Sequence, residues 1–516
     1  MIGAECLLRT LLANQVDLCL MNPGTSEMQF VSALDRVPEM RGVLGLFEGV
    51  CSGAADGYAR MAGKPAATLL HLGPGLANAL SNLHNARKAF SPVINIVGEH
   101  STAHLKHNAP LTADIEAFAR PVSGWVRTLE SAAQMGEAGS AAVAAALEPP
   151  GKVATLIVPA DFSWSEAGEP GHAVPRPERP LPDSEQLRAA ADALRSGQKT
   201  GLLLGGSALQ ARGLLAAERL RTSTGARIFA NRYAARTTRG ASVPSVERIP
   251  YFPEAAQALL AGFERLILVE AQSPVSFFGY PGVRSTLAPE GCVFDVLASE
   301  SQDGAGALEW LADELGAPSA ETASSPRPDL PLGEPLTAGT IGRAVGALLP
   351  EGAIVSDESV SSSEPIWPHL AGAAMHDHLP VTGGSIGQGL PVALGAALAC
   401  PFRKVVALEA DGSAMYTLQS LWTMARERLD VTVVILANRR YRILDIEMRR
   451  TGAGAVGPRA EEMIDLTDPV PDWIKLARGF GVEAARASTA DEFIRELGAA
   501  LGERGPRLIE AVFDGA

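Results

Sequence analysis

The chain has 516 residues, 47% apolar and 20% charged, which is material for about three globular domains. Fifty-eight acids against 44 bases leave a net charge of −14, with no basic excess to hold a nucleic acid or an anionic membrane. The five cysteines (Cys6, Cys19, Cys51, Cys292, Cys400) show no CxxC spacing, which argues against a disulfide framework or zinc site and fits a reducing cytosol.

Along the chain, Glu5, Arg9 and Asp17 interrupt the apolar N-terminal pattern, so no signal peptide is expected. VDLCLMNPG, AATLLHLGPG, VINIVGEH and VATLIVPAD then read as buried strands ending in turns, with helical stretches over Ser52–Met61 and Ala77–Lys88. A Pro-dense segment, 166–183, follows. Beyond it GLLLGG, ARIFANR, RLILVEA and CVFDVLA repeat the strand pattern, and a second Pro-dense segment covers 317–335. AIVSDES, VVALEADGS, VTVVILANRR and RLIEAVFD complete the series. The uncharged stretch 379–402 is broken by Gly, Pro, Ser and Gln and makes a poor membrane span. Continuous Val/Ile/Leu runs separated by helices predict α/β architecture: three domains over 1–165, 184–316 and 336–516, each a parallel sheet flanked by helices. Ligands in such sheets sit beyond the carboxyl ends of strands.

The run VVALEA is followed by Asp411-Gly412-Ser413, and the next run ends at Asn438, 27 residues after Asp411. One crossover unit has about that length, so the two residues are expected at neighbouring strand ends. A carboxylate and an amide oxygen suit Mg²⁺, which keeps phosphate and water in its other positions. Gly412 permits close backbone approach, and Ser413 is expected to open a helix whose N–H groups can take a phosphate. DGS alone equally fits an ordinary strand-end turn.

The spacing ADGS–(24 residues)–N resembles the cofactor signature of the thiamine diphosphate (ThDP) enzymes. Ala410 and Ala437 depart from the usual Gly and Asn, but neither position supplies a metal ligand. The resemblance implies that Asp411, Asn438 and the carbonyl of Arg440 hold Mg²⁺ on the cofactor diphosphate. It extends over the whole chain. In LFEGVCSGAADGYAR, Glu48 matches the glutamate that hydrogen-bonds the cofactor pyrimidine, with Leu46, Phe47 and Val50 available as an apolar surround; read alone, Glu48 is a helix N-terminal acid. Ile386 of GGSIGQGLP matches the wedge beneath the bent cofactor, and the Gly384 carbonyl matches the partner of its amino group. Val360 and Ser361 fall where the family contacts the diphosphate. Asn22-Pro23-Gly24-Thr25-Ser26-Glu27 and His71-Leu72-Gly73-Pro74-Gly75, with Asn78, resemble the pyrimidine-side motifs of the acetolactate synthase, pyruvate oxidase and benzoylformate decarboxylase group.

The pattern is most similar to acetolactate synthase large-subunit-like proteins, with benzoylformate decarboxylase as a near relative. This implies decarboxylation of a 2-keto acid with carboligation by a cytoplasmic homodimer or homotetramer whose active sites lie between subunits. A simple decarboxylase or a catalytically altered homologue is the alternative. His71 and Thr25 match substrate-side residues of benzoylformate decarboxylase, but its second histidine would fall near Gly279 and is missing, and Glu447 replaces an aromatic residue. Arg439, Arg440 and Arg442 either attract an anionic substrate or form surface ion pairs; His104, Lys106 and His107 read as a solvated loop. The GGS turn at 205–207 lacks a full dinucleotide fingerprint, so FAD is possible but not favoured.

Overall fold

The computed structural model describes residues 1–319, 325–454 and 456–513; residues 320–324, within the second Pro-dense segment, and 514–516, at the end of the last expected domain, lie outside the described residues. Six strands form the first sheet: β1 (Leu18–Asn22), β2 (Arg41–Leu44), β3 (Ala66–Leu70), β4 (Val93–Glu99), β5 (Trp125–Thr128) and β6 (Val153–Pro159). Their order is β2-β1-β3-β4-β6-β5, and every pairing is parallel. The second sheet takes β7 (Thr200–Leu204), β8 (Arg227–Ala230), β10 (Glu247–Arg248), β11 (Arg265–Val269) and β12 (Val293–Ala298) in the order β10-β8-β7-β11-β12, while β9 (Thr237–Arg239) goes elsewhere. The third takes β13 (Ala353–Glu358), β14 (His376–Pro380), β15 (Val405–Ala410), β16 (Val431–Ala437), β17 (Glu483–Ala487) and β18 (Arg507–Val512), in the order β17-β18-β16-β15-β13-β14-β9.

Most of the apolar runs form strands covered on both faces, with β4, β6 and β16 buried at all seven residues, while β12 at a sheet edge leaves Val293 and Val296 exposed. The runs did not foretell β2, β5, β14 or β17, which are short and carry polar residues such as Arg41, Arg127, His376 and Glu483. The expectation of purely parallel sheets needs one correction. β9 leaves the middle segment and pairs antiparallel with β14, closing an edge that would otherwise expose unpaired backbone groups.

The first and third sheets share one hydrophobic cluster, running from Leu20 and Val97 through Leu83 and Leu394 to Val433. Two helices carry most of the join: α1 (Glu48–Ala62) and α3 (Gly389–Ala399). α1 and the helix α2 (Leu72–Lys88) both begin several residues before the expected starts, at Glu48 and just after His71. α1 and α3 touch backbone to backbone. A Cβ on Gly395 would stand 1.9 Å from the Ala54 carbonyl oxygen, and one on Gly57 would stand 2.2 Å from that of Val392. Polar groups in the join are paired as burial demands. Arg60 bonds Asp56 of the same helix and donates to the Pro380 carbonyl at 2.9 Å and the Thr382 hydroxyl at 3.0 Å, while Gln388 donates to Asp56 at 2.6 Å. Among the described residues no helix is long and apolar enough to cross a membrane.

Gly395→Val should therefore lower the thermal unfolding midpoint, at a cost of about 1–3 kcal/mol or more, because carbonyl backbone cannot move aside as a side chain can. Gly498→Ala, in the 490–502 helix with nothing within 4 Å of the added atom, should leave the midpoint unchanged or raise it slightly. Scanning calorimetry of the two variants checks the contrast.

Candidate active site

On the first sheet, the carboxyl ends of β1 and β3 and the start of α1 bring together Asn22, the 24–27 turn, Glu48 and His71. Glu48 is the first residue of α1, where the helix dipole favours a carboxylate. It is buried, and its two oxygens accept from the amides of Asn22 (3.2 Å) and Asn78 (3.0 Å). Its oxygens are thus met by two amides, and of the apolar residues expected around it Val50 is buried while Leu46 is 41% exposed. Asn78 thus serves Glu48. Glu27 is fully buried and sits 2.8 Å from His71 Nδ1, while also accepting from Gly24 N–H and the Ser26 hydroxyl at 2.9 Å each. A carboxylate on Nδ1 keeps a proton on that nitrogen and leaves Nε2 free to face a substrate. The room is tight: a Cβ on Gly98 of β4 would overlap the Glu27 carboxylate, at 1.8 Å, and one on Gly24 would overlap the His71 ring, at 2.1 Å. Thr25 is exposed at the tip of the turn.

On the third sheet, Asp411 and Asn438 leave the neighbouring parallel strands β15 and β16, where Ala410 is in register with Leu436. Asp411 accepts from the N–H of Gly412 at 2.9 Å and of Arg439 at 2.6 Å, and Asn438 Oδ1 accepts from Arg440 N–H at 3.0 Å. Burial pushes the Asp411 carboxyl up to about 6, against the pull of those N–H donors. Arg439 holds a left-handed backbone, φ 56°, in this turn. The Tyr441 ring closes over Gly412, where a Cβ would meet it at 2.4 Å. The expected helix at Ser413 is only the four residues 411–414, so it offers one turn of N–H groups and not a full helix end. The Arg440 guanidinium is held by both oxygens of Glu461, an ion pair of the kind expected for this basic stretch. Neighbouring backbone pairs with 464–466 through the Arg439 carbonyl and Tyr441 N–H.

Sequence reasoning did not single out the groups that hold the adjoining turns. Asp357, near the end of β13, accepts from Ser359 N–H (2.9 Å), the Ser359 and Ser363 hydroxyls, and His378 Nε2 (3.1 Å). Burial opposes its charge, but these donors outweigh burial and hold the carboxyl well below the usual carboxylate range. Val360, at φ 48°, and Ser361 stand on the turn so anchored. Next along β13, Glu358 accepts from the N–H of Gly387 at 2.7 Å and of Gly389 at 2.5 Å, on the turn that directly follows half-buried Ile386. Burial pushes Glu358 up to about 7. Gly384 takes φ 76°, and the ring of Phe277 lies 2.4 Å from where its Cβ would be. Phe277 in turn stacks among Tyr233, Tyr251 and Phe278. Tyr280 from the same loop donates to Glu447 at 2.9 Å.

Residues 1–118 match the N-terminal and residues 369–511 the C-terminal TPP-binding domain of thiamine pyrophosphate enzymes. The chain is 51% identical, over 99% of its length and 98% of the relative's, to IlvX of Mycobacterium tuberculosis (strain H37Rv), a protein provisionally named an acetolactate synthase large subunit. The chain belongs to the thiamine pyrophosphate enzyme family. It is also 29% identical to benzoylformate decarboxylase of Pseudomonas aeruginosa, covering 95% of this chain and 94% of that one. Its fold superposes on the 4-hydroxybenzoylformate decarboxylase of Rhodococcus jostii RHA1 with TM-score 0.87, 25% identity and complete coverage of both chains.

The donor set fits a ThDP–Mg²⁺ group. Among the described residues no cluster of three or more His, Cys, Asp or Glu could hold a metal, so a cation at Asp411 would meet one carboxylate and neutral oxygens. That is the hard-oxygen set Mg²⁺ accepts when phosphate completes its shell. Asp411→Ala should then weaken ThDP–Mg²⁺ binding by at least about ten-fold, since one charged ligand is lost. Isothermal titration checks this, and an affinity equal to the parent's would remove the assigned site.

Proposed function

We propose that this ThDP enzyme decarboxylates a 2-keto acid and joins the acyl fragment, with the electron pair left by CO₂, to the carbonyl carbon of a second compound, as an acetolactate synthase-like carboligase. What supports the reading most is the pyrimidine-side arrangement of a buried Glu48, held by two amides at a helix N-terminus, beside a Glu27–His71 pair. The bound cofactor supplies the carbon nucleophile and takes up the electrons left behind by CO₂.

The chain's own residues supply position and protons. Glu48 holds a proton at the pyrimidine N1′, while Asn22 and Asn78 keep its oxygens aimed. Ile386 would stand beneath the cofactor on a turn fixed by Glu358, and Asp411 with Asn438 would hold a cation at the diphosphate end. His71, its proton fixed on Nδ1 by Glu27, presents Nε2 to the substrate as acceptor and, once protonated, as donor.

The simple decarboxylase reading has one observation in its favour: the rings of Phe277, Phe278, Tyr251 and Tyr233 gathered beside Gly384 offer an apolar wall to an aryl keto acid. Against it, no histidine occurs in the SPVSFFGYPG loop, and Glu447 with Tyr280 makes the neighbouring position polar. Incubating the reconstituted enzyme separately with pyruvate, 2-ketobutyrate and benzoylformate discriminates the two. Acetohydroxy acids with stoichiometric CO₂ support carboligation; free aldehyde alone overturns it.

Two further outcomes are expected. Glu48→Gln keeps the side chain's shape but cannot share a carboxylic proton with N1′. Exchange of the cofactor C2 proton, read by NMR after acid quench, should slow by about 10²–10⁴-fold while ThDP binding weakens only modestly. Unchanged exchange would reduce Glu48 to a helix-terminal acid. The exposed apolar side chains of Leu46, beside Glu48, and of Tyr416 and Leu444, around the diphosphate turns, also suit a subunit boundary running through the site. Sedimentation under assay conditions should find activity only in a dimer or tetramer, and a fully active monomer would exclude shared sites.

A further inference from the structure

The middle sheet has its own strand-end crevice, and its contents are unusual. The turn Gly205-Gly206-Ser207 follows β7, Glu270 follows the neighbouring β11, and the 304–314 helix follows β12. In parallel sheets such a glycine turn and helix start receive the phosphates of a dinucleotide. Here both are engaged by a side chain of the protein itself. One Glu270 oxygen accepts from Ser207 N–H at 3.0 Å and from Arg179 Nη1 at 2.9 Å. The other accepts from Gly304 N–H at 2.9 Å and from the Ser207 hydroxyl. Glu270 is 4% exposed and holds φ 49°, a conformation costly for a residue with a Cβ. The surrounding glycines leave no slack: a Cβ on Gly206 would lie 1.9 Å from one carboxylate oxygen, and a Cβ on Gly304 would lie 2.6 Å from the other. A cavity of about 380 Å³ adjoins the cradle, bordered by Lys88, Arg176, Arg179 and Asn231.

We infer that Glu270 is the resident ligand of this anion cradle: its carboxylate stands where the phosphates of FAD or another adenine nucleotide would go, so the middle domain takes no such cofactor. The residues do not fit a dinucleotide with Glu270 in place, because the donors it would need are already paired and its phosphate charge would meet the carboxylate. The carboxylate instead ties three strand ends together. Through Arg179, which also donates to the Pro150 carbonyl at 3.0 Å, it fastens the 166–183 segment and the first domain to that junction.

The full-length wild type and Glu270→Ala are compared with FAD, ADP and inorganic phosphate as probes. The wild type should retain no flavin after gel filtration, and its melting temperature should respond to millimolar phosphate no more than to chloride of equal ionic strength. Glu270→Ala should melt lower, regain part of that loss with phosphate or ADP but not chloride, and bind ADP at least about ten-fold more tightly than the wild type. Stoichiometric flavin on the wild type, or phosphate responses equal in the two proteins, overturns the inference. If Glu270→Ala does not fold, Glu270→Gln decides: its amide still fills the cradle, so it should melt lower without phosphate rescue. A Gln variant as stable as the parent refutes the assignment.

Discussion

A buried carboxylate that accepts backbone N–H groups holds each turn on which the site depends. Glu27 takes Gly24 N–H, Asp357 takes Ser359, Glu358 takes Gly387 and Gly389, and Asp411 takes Gly412 and Arg439. Strand-end turns leave such donors without ladder partners, and a charged acceptor satisfies them with about 1.5–3 kcal/mol per bond. The opposing term is desolvation, which is visible in Glu358 and Asp411, pushed up to about 7 and about 6. Asp357 escapes it because four donors, His378 among them, converge on two oxygens. The turns are therefore positioned by electrostatics, and the sheets beneath them by apolar burial.

The second constraint is the close approach of α1 and α3. Gly57 and Gly395 let the two helices meet through backbone, Gly53 makes room for the Pro391 ring, and no larger side chain can be accommodated at Gly57 or Gly395. This contact, more than any loop, sets where Glu48 lies relative to the third sheet. The Asp56–Arg60 pair in the same join is tolerated because further donors and acceptors, including Gln388 and Thr382, satisfy what the pair leaves over.

Much of this was legible in the residues. Asp411 and Asn438 could be placed at neighbouring strand ends because they follow two apolar runs at crossover spacing, whereas Glu48, His71, Gly384 and Ile386 were singled out only through the family resemblance. Glu27 was visible only as the last residue of its motif, and Asp357 and Glu358 carried no comparable signal. An acid just past a strand looks the same whether it caps a helix turn, holds a neighbouring loop or faces water; only the three-dimensional donors distinguish these. Glu270 hid for the same reason, since the GGS turn advertises an anion site without showing that β11 supplies the anion. The edge strands β2, β5 and β17 escaped because their pattern lacks the buried runs of the central strands, and the buried β14 escaped because His376, Asp377 and His378 break its apolar run. β9 escaped because its partner belongs to another segment.

One helix connects the two halves of the site. Asn78, Asn82 and Asn85 are spaced four and three residues apart on α2, so they share a face. Asn78 holds Glu48. Asn82 donates to the carbonyls of both Gly49 (2.8 Å) and Gly387 (3.1 Å), and Asn85 donates to the Ser385 carbonyl at 2.7 Å. α2 thus ties the start of α1 to the 384–387 turn within a single chain. Under the proposed arrangement of shared sites, these two elements serve different active centres, because a chain lends its Glu48 to one and its Ile386 turn to the other. A shift of that turn on binding cofactor at the second centre would then reach Glu48 of the first through two amide side chains and about two turns of helix. The path is short and fully hydrogen-bonded, and it leaves little freedom for the two centres to adjust independently.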